Sequence, residues 1–347
     1  MALSPESYMF RCLELAALAA GYTAPNPMVG AVLVCHDRII GEGYHHHYGG
    51  PHAEVVCINS VSETDKHLIA KSELYVSLEP CAHHGKTPPC ADLIIRNGIP
   101  KVIIGCRDPF KEVDGKGIEK LNAAGIETVV GMLEAECIAL NKRFFTFHTF
   151  HRPYIILKWA QTSNHKISSS SNKRLFITGS DTNFVVHKWR SAESAVMVGT
   201  NTAAMDDPQL TNRRWSGPSP TRIVIDKKLR LSPTLHIFDG TANTIVFNFI
   251  KQEQQGNTLY YLLTGTGSLV NQITQALYAL NSISVLIEGG AQLLQSFIDE
   301  GCWDEARVIT NPFLTLPDGV SSPILVNEKL IKEEQISDDD LSYYIRK

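Results

Sequence analysis

Apolar and polar positions change period repeatedly along the first part of the chain, and each change marks an element. Ser4-Pro5-Glu6 is a helix start, and Arg11 and Glu14 interrupt the apolar run from Met9 to Ala20, which predicts an amphipathic helix ending at Gly21. Those polar interruptions are not the pattern of a secretory signal. Val29 to Cys35 is a continuous apolar run, His36-Asp37-Arg38 a turn and Ile39 to Gly43 a second strand, together a hairpin. A helix from His52 to about Val61, a strand Leu74 to Leu78, a helix Cys90 to Asn97, a strand Val102 to Cys106, a helix ending at Gly125 and a strand Ile126 to Val130 follow. Such alternation predicts a sheet sandwiched by helices.

The aromatic-rich stretch Phe144-Phe145-Thr146-Phe147-His148-Thr149-Phe150 runs into Arg152-Pro153 and a strand from Tyr154 to Lys158, and the domain boundary is placed near residue 150. Alternation then resumes. A helix about Asp181 to Ser191, strands Ala195 to Val198, Arg222 to Ile225, Thr244 to Asn248 and Val285 to Glu288, a helix Ala291 to Glu300 capped by Gly301, and a strand Glu305 to Thr310 predict a second α/β domain. No flexible Gly/Ser linker separates the halves, so they are expected to pack directly on each other. No internal repeat relates them.

A length of 347 residues suits two such domains, and 44% apolar with 20% charged residues is enough for proper cores. The net charge of −4 lacks the basic surplus of a polyanion-binding protein, so nucleic acid is not an expected partner. Nothing approaches the roughly 18 consecutive apolar residues of a membrane span. Without an export signal the eight cysteines (12, 35, 57, 81, 90, 106, 137 and 302) are expected as thiols in the reducing cytoplasm. Cys35, Cys106 and Cys137 lie within or beside apolar segments, where free cysteine behaves as a small hydrophobe.

Two cysteines stand in a different setting. His52-Ala53-Glu54 is followed by Pro80-Cys81, eight intervening residues and Cys90, which supplies one imidazole, one carboxylate and two thiolates in the order a zinc deaminase needs. Three N/S ligands leave the fourth tetrahedral position of zinc for water, whose pKa the metal lowers to roughly 7. Glu54, two residues past His52, is placed to take a proton from that water and pass it to the departing amine. The general signature ends in Cys-x-x-Cys; the loop here is much longer. A purely structural Cys2His zinc site, completed by His83 or His84, is the alternative reading. Asn26, between Pro25 and Pro27, sits in a rigid turn that holds its amide for hydrogen bonds to a heterocycle edge. His45-His46-His47 reads as a solvated loop with one useful member. Glu288-Gly289-Gly290, after an apolar strand and before a helix, is either a phosphate cradle or a plain tight turn. There is no Gly-x-Gly-x-x-Gly, which excludes a Rossmann dinucleotide site.

Pro25-Asn26-Pro27-Met28-Val29-Gly30, Gly41-Glu42-Gly43-Tyr44-His45, Pro51-His52-Ala53-Glu54 and the segment from Leu78 to Cys90 together closely resemble the bifunctional riboflavin-biosynthesis deaminase and reductase family. In the second half, Leu157-Lys158, Ile177-Thr178-Gly179, Val186-His187 with Arg190, Gly199-Thr200-Asn201-Thr202, Asp206 to Thr211 with Arg213, Arg222 to Asp226 and Glu288-Gly289-Gly290 follow the reductase pattern in order, so the resemblance covers nearly the whole chain. It implies an α/β fold with a cytidine-deaminase-like α/β/α domain over 1–150 and a dihydrofolate-reductase-like α/β domain over 151–347. The implied reactions are zinc-dependent deamination of 2,5-diamino-6-(5-phosphoribosylamino)pyrimidin-4-one and then NADPH-dependent reduction of the ribosyl group to ribityl. A small-molecule substrate and a homo-oligomer, joined through exposed edges of the second sheet, are implied with them.

By the same resemblance His52, Cys81 and Cys90 are the zinc ligands and Glu54 the proton shuttle, with Asn26, His45, Lys86 and Asp108 near the pyrimidine and ribose phosphate. Gln161, Phe176, Thr202, Asp206 and the run Gly290, Ala291, Gln292, Leu293, Leu294, Gln295, Ser296 match cofactor contacts. Arg190, Leu210, Arg213 and Glu288 match substrate contacts, the arginines as bidentate donors to the ribose phosphate. Lys158 would orient the open-chain ribose or donate a proton as hydride arrives. Read without the resemblance, Arg190 is a solvated charge on a helix face and Lys158 a strand-end lysine. The chain departs from the family where Ser-Leu-Asp-Gly-Lys becomes Thr162-Ser163-Asn164-His165-Lys166, where Ser-x-Trp becomes Arg174-Leu175-Phe176, and where Lys227 follows Asp226. Phe176 can still stack on a nicotinamide. Two rival readings are a deaminase with a non-catalytic C-terminal binding or assembly domain, and a nucleic-acid-editing deaminase. Net acidity, the long inter-cysteine loop and the second domain stand against the latter.

Overall fold

The computed structural model describes residues 4–82, 88–110, 113–169 and 175–347 and divides into two compact units, Met1–Phe150 and His151–Lys347. The first unit opens with helix α1 (Pro5–Ala17), where the Ser4 hydroxyl accepts the Ser7 N–H. Strands β1 (Gly30–Cys35) and β2 (Arg38–Tyr44) form the hairpin, followed by α2 (Ala53–Asn59), β3 (Glu73–Leu78), α3 (Cys90–Arg96), β4 (Lys101–Cys106), α4 (Lys116–Ala123), β5 (Glu127–Val130), α5 (Glu134–Leu140) and α6 (Lys142–Phe150). The sheet order is β2-β1-β3-β4-β5, with β1 antiparallel to both neighbours and β3, β4 and β5 parallel.

Strand β1 explains why its sequence is continuously apolar. Ala31, Leu33 and Cys35 join one core with residues of α2, α3 and α4, while Val32 and Val34 join another with α1, Cys137 of α5 and Phe144 of α6. A strand covered by helices on both faces has no polar side to alternate with. The aromatic-rich stretch, whose apolar positions follow no clear period, is helix α6; it buries Phe144 and Phe147 and leaves Phe150 exposed.

The second unit comprises β6 (Tyr154–Thr162), β7 (Lys166–Ser168), α7 (Ser180–Ala192), β8 (Ala195–Gly199), α8 (Thr200–Asp206), β9 (Thr221–Ile225), β10 (Thr244–Asn248), β11 (Glu253–Gln255), β12 (Thr258–Leu262), α9 (Leu269–Ala279), β13 (Ser284–Ile287), α10 (Ala291–Asp299), β14 (Glu305–Asn311), β15 (Val320–Ser321), β16 (Glu328–Ile336) and β17 (Asp339–Arg346). Among the described residues ten strands form one sheet in the order β11-β12-β10-β9-β8-β13-β6-β14-β17-β16. It is parallel from β12 through β14 and antiparallel at both margins. One face packs on α9 and α10, the other on α7 and α8.

The C-terminal hairpin β16–β17 was not anticipated, and it anchors α7. Asp339 accepts the Gly179 N–H at 2.9 Å at the helix start, and Tyr343 meets Trp189 edge-on at 6.0 Å between ring centres. Arg222 is fully buried and its donors go to Thr244, Asp239 and the carbonyls of His236 and Ala242, which makes it a structural residue. All eight cysteines are free thiols. No helix among the described residues is long and apolar enough to cross a membrane.

Candidate functional site

His52 is the N-cap of α2, Cys90 opens α3, and Cys81 lies in the loop after β3, so three chain segments meet at one point. Their ligand atoms lie within 4.8 Å of one another, with His52 Nδ1 at 3.5 Å from Cys81 Sγ and 3.2 Å from Cys90 Sγ. Zinc bonds of about 2.1 Å to nitrogen and 2.3 Å to sulfur imply tetrahedral N···S edges of about 3.6 Å, so this donor set fits that ion. Cys81 carries the negative charge: hydrogen bonds from the Cys90 thiol, then from His52 and the Cys90 N–H, hold its pKa down to about 4 against the opposing effect of burial. Cys90 is pushed up by the neighbouring Cys81 charge and by burial. Glu54, in the first turn of α2, is 3% exposed; burial first, and then the Cys81 charge, raise its carboxyl above the ordinary range.

Asn26 and His45, far apart in sequence, come together with Nδ2 and Nε2 3.2 Å apart. His45 is buried with Nδ1 2.9 Å from the Pro51 carbonyl, and its ring meets that of His52 edge-on; His46 and His47 are exposed. Asp108 follows β4. Burial, with Glu79 and Cys81 adding and the Phe110 N–H opposing, pushes its carboxyl up to about 7. Lys86, His83 and His84 lie outside the described residues.

One residue of this site went unassigned at the sequence level. Glu79 is buried immediately before Pro80-Cys81, and its carboxylate accepts the N–H groups of Asp108 (3.4 Å), Gly115 (3.1 Å), Gly117 (2.9 Å) and Ile118 (3.3 Å). It ties the metal-ligand loop to the Asp108 loop and to the start of α4. An acid at the end of a buried strand was the available signal, because such a charge needs several donors.

In the second unit the end of β13 aligns with β6, setting Glu288 beside Lys158. Arg190, on α7, donates Nε to Glu288 Oε1 at 2.7 Å and Nη2 to Oε2 at 2.6 Å, and its Nη1 reaches the Thr211 carbonyl at 3.3 Å. Arg190 is therefore not the solvated charge that a helix face alone suggests: its fork is taken by Glu288, one of the residues expected beside it at the substrate. Burial opposes ionisation of Glu288, but Arg190 and Lys158 hold its pKa below the ordinary range. Burial lowers Lys158 and Arg190 adds to that, while Glu288 opposes. Leu210 is buried with φ of 55° and Asp207 has φ of 41°, so the turn carrying Arg213 is held in a costly backbone conformation.

Gly289 (φ 138°) and Gly290 (φ 76°) form the turn into α10 in conformations L side chains rarely adopt. A Cβ at Gly290 would lie 3.4 Å from Thr202 Oγ1, which brings Thr202 of α8 against this turn, and Asp206 ends the same helix. Helical periodicity sets where the side chains of the expected contact run point. Leu294 is fully buried in the core and its N–H already bonds to Gly290 O, and Leu293 points inward with it; Gln295 is tied to Asp299 and Ile324, and the Ser296 hydroxyl to Leu293 O. Ala291 and Gln292 stay accessible. Gln161 has its carbonyl bonded by Trp159 Nε1 and its amino group against Thr310 and His165, so its amide is already engaged. Phe176 is 74% exposed, and Arg174 lies outside the described residues.

Residues 3–106 match the family model of the cytidine and deoxycytidylate deaminase zinc-binding region, and residues 153–329 match that of the RibD C-terminal domain. The riboflavin biosynthesis protein RibD of Aquifex aeolicus is 39% identical over 88% of this chain and 86% of its own length, and that of Actinobacillus pleuropneumoniae 35% over 97% and 94%. Among solved structures, a diaminohydroxyphosphoribosylaminopyrimidine deaminase/5-amino-6-(5-phosphoribosylamino)uracil reductase from Thermotoga maritima is similar with a TM-score of 0.90 at 36% identity, covering 98% of both chains. Acinetobacter baumannii RibD gives 0.89 at 31% identity, again over 98% of both.

Proposed function

Since this chain belongs to the family of the riboflavin biosynthesis protein RibD, a bifunctional deaminase and reductase, we propose that its first unit deaminates 2,5-diamino-6-(5-phosphoribosylamino)pyrimidin-4-one and its second reduces the ribosyl group of the product to ribityl. The observation that carries the reading is the convergence of His52, Cys81 and Cys90 beside a buried, non-ligating Glu54. His52, Cys81 and Cys90 would hold the zinc, which supplies Lewis-acid activation of water at neutral pH. Glu54 takes the proton from the attacking water and returns it to the departing amine, a task its raised pKa suits. Asn26, His45 and Asp108 supply polar groups for the heterocycle and its ribose phosphate.

In the second unit NADPH supplies the hydride when bound, and the Gly289-Gly290 turn with Thr202 is the part of the chain shaped for its phosphates. Lys158 is the proton donor: its ammonium is desolvated and faces Glu288, so it can give a proton to the sugar oxygen as that oxygen gains charge. Glu288, clamped by Arg190, keeps Lys158 charged enough to do so. Arg213 serves the ribose phosphate. The protein acts in the cytoplasm as a homo-oligomer, with β16, which exposes Leu330 and Ile331 at the sheet margin, as the interface; sedimentation of a Leu330→Lys variant tests this by loss of the oligomer.

A mass-resolved assay of zinc-loaded protein with the diaminopyrimidinone substrate, run with and without NADPH, tests the function. Replacement of the amine by oxygen without NADPH, followed by a two-hydrogen gain with it, is expected; a product unchanged by NADPH would remove the reductase half. Glu54→Gln should retain zinc and lose deamination by about 100-fold or more, and turnover at the wild-type rate would overturn the shuttle assignment.

A further inference from the structure

Helix α7 sends two side chains from one face, His187 and Arg190, to the strained turn that carries Leu210 and Arg213. Arg190 is committed to Glu288 and the Thr211 carbonyl. His187 is held differently. The Arg213 backbone N–H donates to its Nδ1 at 3.0 Å, which makes Nδ1 an acceptor and places the ring proton on Nε2. The side chain is 5% exposed, yet among the described residues no hydrogen bond reaches Nε2, and that atom is not among those sealed from solvent without a partner. A tautomer fixed on one side, with an N–H left open on the other, is a donor awaiting an acceptor.

The acceptor is chosen by the surroundings. Arg190, Arg213 and Arg214 crowd the ring with positive charge, and Glu288 is the acidic group that offsets them. Such a field draws the phosphate and hydroxyl oxygens of a sugar phosphate, and a second cation there would be disfavoured. We propose that His187 binds the sugar-phosphate portion of the reductase substrate through Nε2–H as a neutral donor, and so helps to set which sugar phosphate the second site accepts. The inference rests on the reductase reading and gives a role to His187, which the reductase pattern contains without one. It differs from a purely structural role, in which His187 serves only to clasp the Arg213 turn through Nδ1.

Two amide variants separate these roles. His187→Asn places an acceptor near Nδ1 and removes the donor at Nε2, whereas His187→Gln places a donor near Nε2 and removes the acceptor. For reduction of 5-amino-6-(5-phosphoribosylamino)uracil, Asn should raise KM about ten-fold with kcat within about two-fold, and Gln, which keeps the donor but frees the Arg213 turn, should raise KM less than Asn does. The reverse pattern, or wild-type KM in Asn, overturns the proposal. A readout independent of turnover is nitrogen NMR of imidazole-labelled full-length protein titrated with ribose 5-phosphate. Nε2 should carry the proton and shift on binding while Nδ1 keeps its unprotonated signature. If both variants raise KM equally, this titration decides, and an unmoved Nε2 at saturation overturns the proposal. A wild-type protein that fails to reduce the uracil while Nε2 still shifts would instead remove the reductase reading and leave the binding residue standing.

Discussion

Glu288 shows how one buried charge organises its neighbours: it takes both hydrogen bonds of Arg190 and faces Lys158, so none of the three can be altered alone without exposing another. Arg190→Met should lose about 3–5 kcal/mol of stability in denaturant unfolding, because it leaves the Glu288 carboxylate buried without its partner. Arg190→Lys keeps the charge but not the fork, and should recover only part of that loss. His187 contributes a pH dependence. Burial, and then Arg190, Arg213 and Arg214, lower its pKa to about 4, with Glu288 opposing. A depressed pKa means that the unfolded chain takes up the proton first, so the contribution is complete above about pH 6.5 and is lost as pH falls towards 4, by about 3 kcal/mol. Stability measured across that window should fall less steeply in His187→Asn than in the wild type, and equal slopes would show that His187 titrates normally. Residue types at Glu54, Cys81 and Cys90 announced their chemistry in the sequence. Arg190 did not, because a guanidinium on a helix face looks the same whether it meets solvent, a phosphate or a carboxylate.

At the scale of elements, close approach decides what a position tolerates. The start of α4 lies so near the metal-ligand loop that a Cβ on Gly117 would stand 1.9 Å from the Pro80 carbonyl. Gly117→Ala should therefore push α4 away, break the Glu79 clasp and cost about 3 kcal/mol by overpacking. Thermal melting together with zinc content checks this, since Pro80 adjoins Cys81; unchanged zinc and melting would show that the loop gives way freely. The strands of the first sheet were legible because burial on both faces leaves continuous apolar runs, and β3 and β4 are buried almost throughout. Strand β16 was not. Its sequence, Glu-Lys-Leu-Ile-Lys-Glu-Glu-Gln-Ile, is mostly exposed at the margin of its sheet, so neither face imposes alternation. Helix α8 is rich in Thr and Asn, which favour caps and turns, and is seven residues long. Helix α9 carries a usable signal in its sequence, with Val270, Ile273, Ala276 and Leu277 buried at helical spacing.

For the whole molecule, the division after Phe150 leaves each unit with its own sheet and its own cores. Expressed separately, 1–150 should fold and deaminate, and 151–347 should fold and reduce deaminated substrate; loss of cooperative melting in either piece would show that it depends on the other. Chelation should abolish deamination in the intact chain and leave reduction of deaminated substrate unchanged, because the three ligands all lie in the first unit. The nature of the first reaction and the order of most core elements could be taken from the linear chain. His-x-Glu and Pro-Cys are local patterns whose chemistry follows from residue type, and hydrophobic period reports local burial. The pairing of Asn26 with His45, the clasp of Glu79 on the Asp108 loop, the commitment of Arg190 to Glu288 and the fixed tautomer of His187 came from packing. Each joins residues distant in sequence through a direction or a distance, and neither is encoded in composition or period.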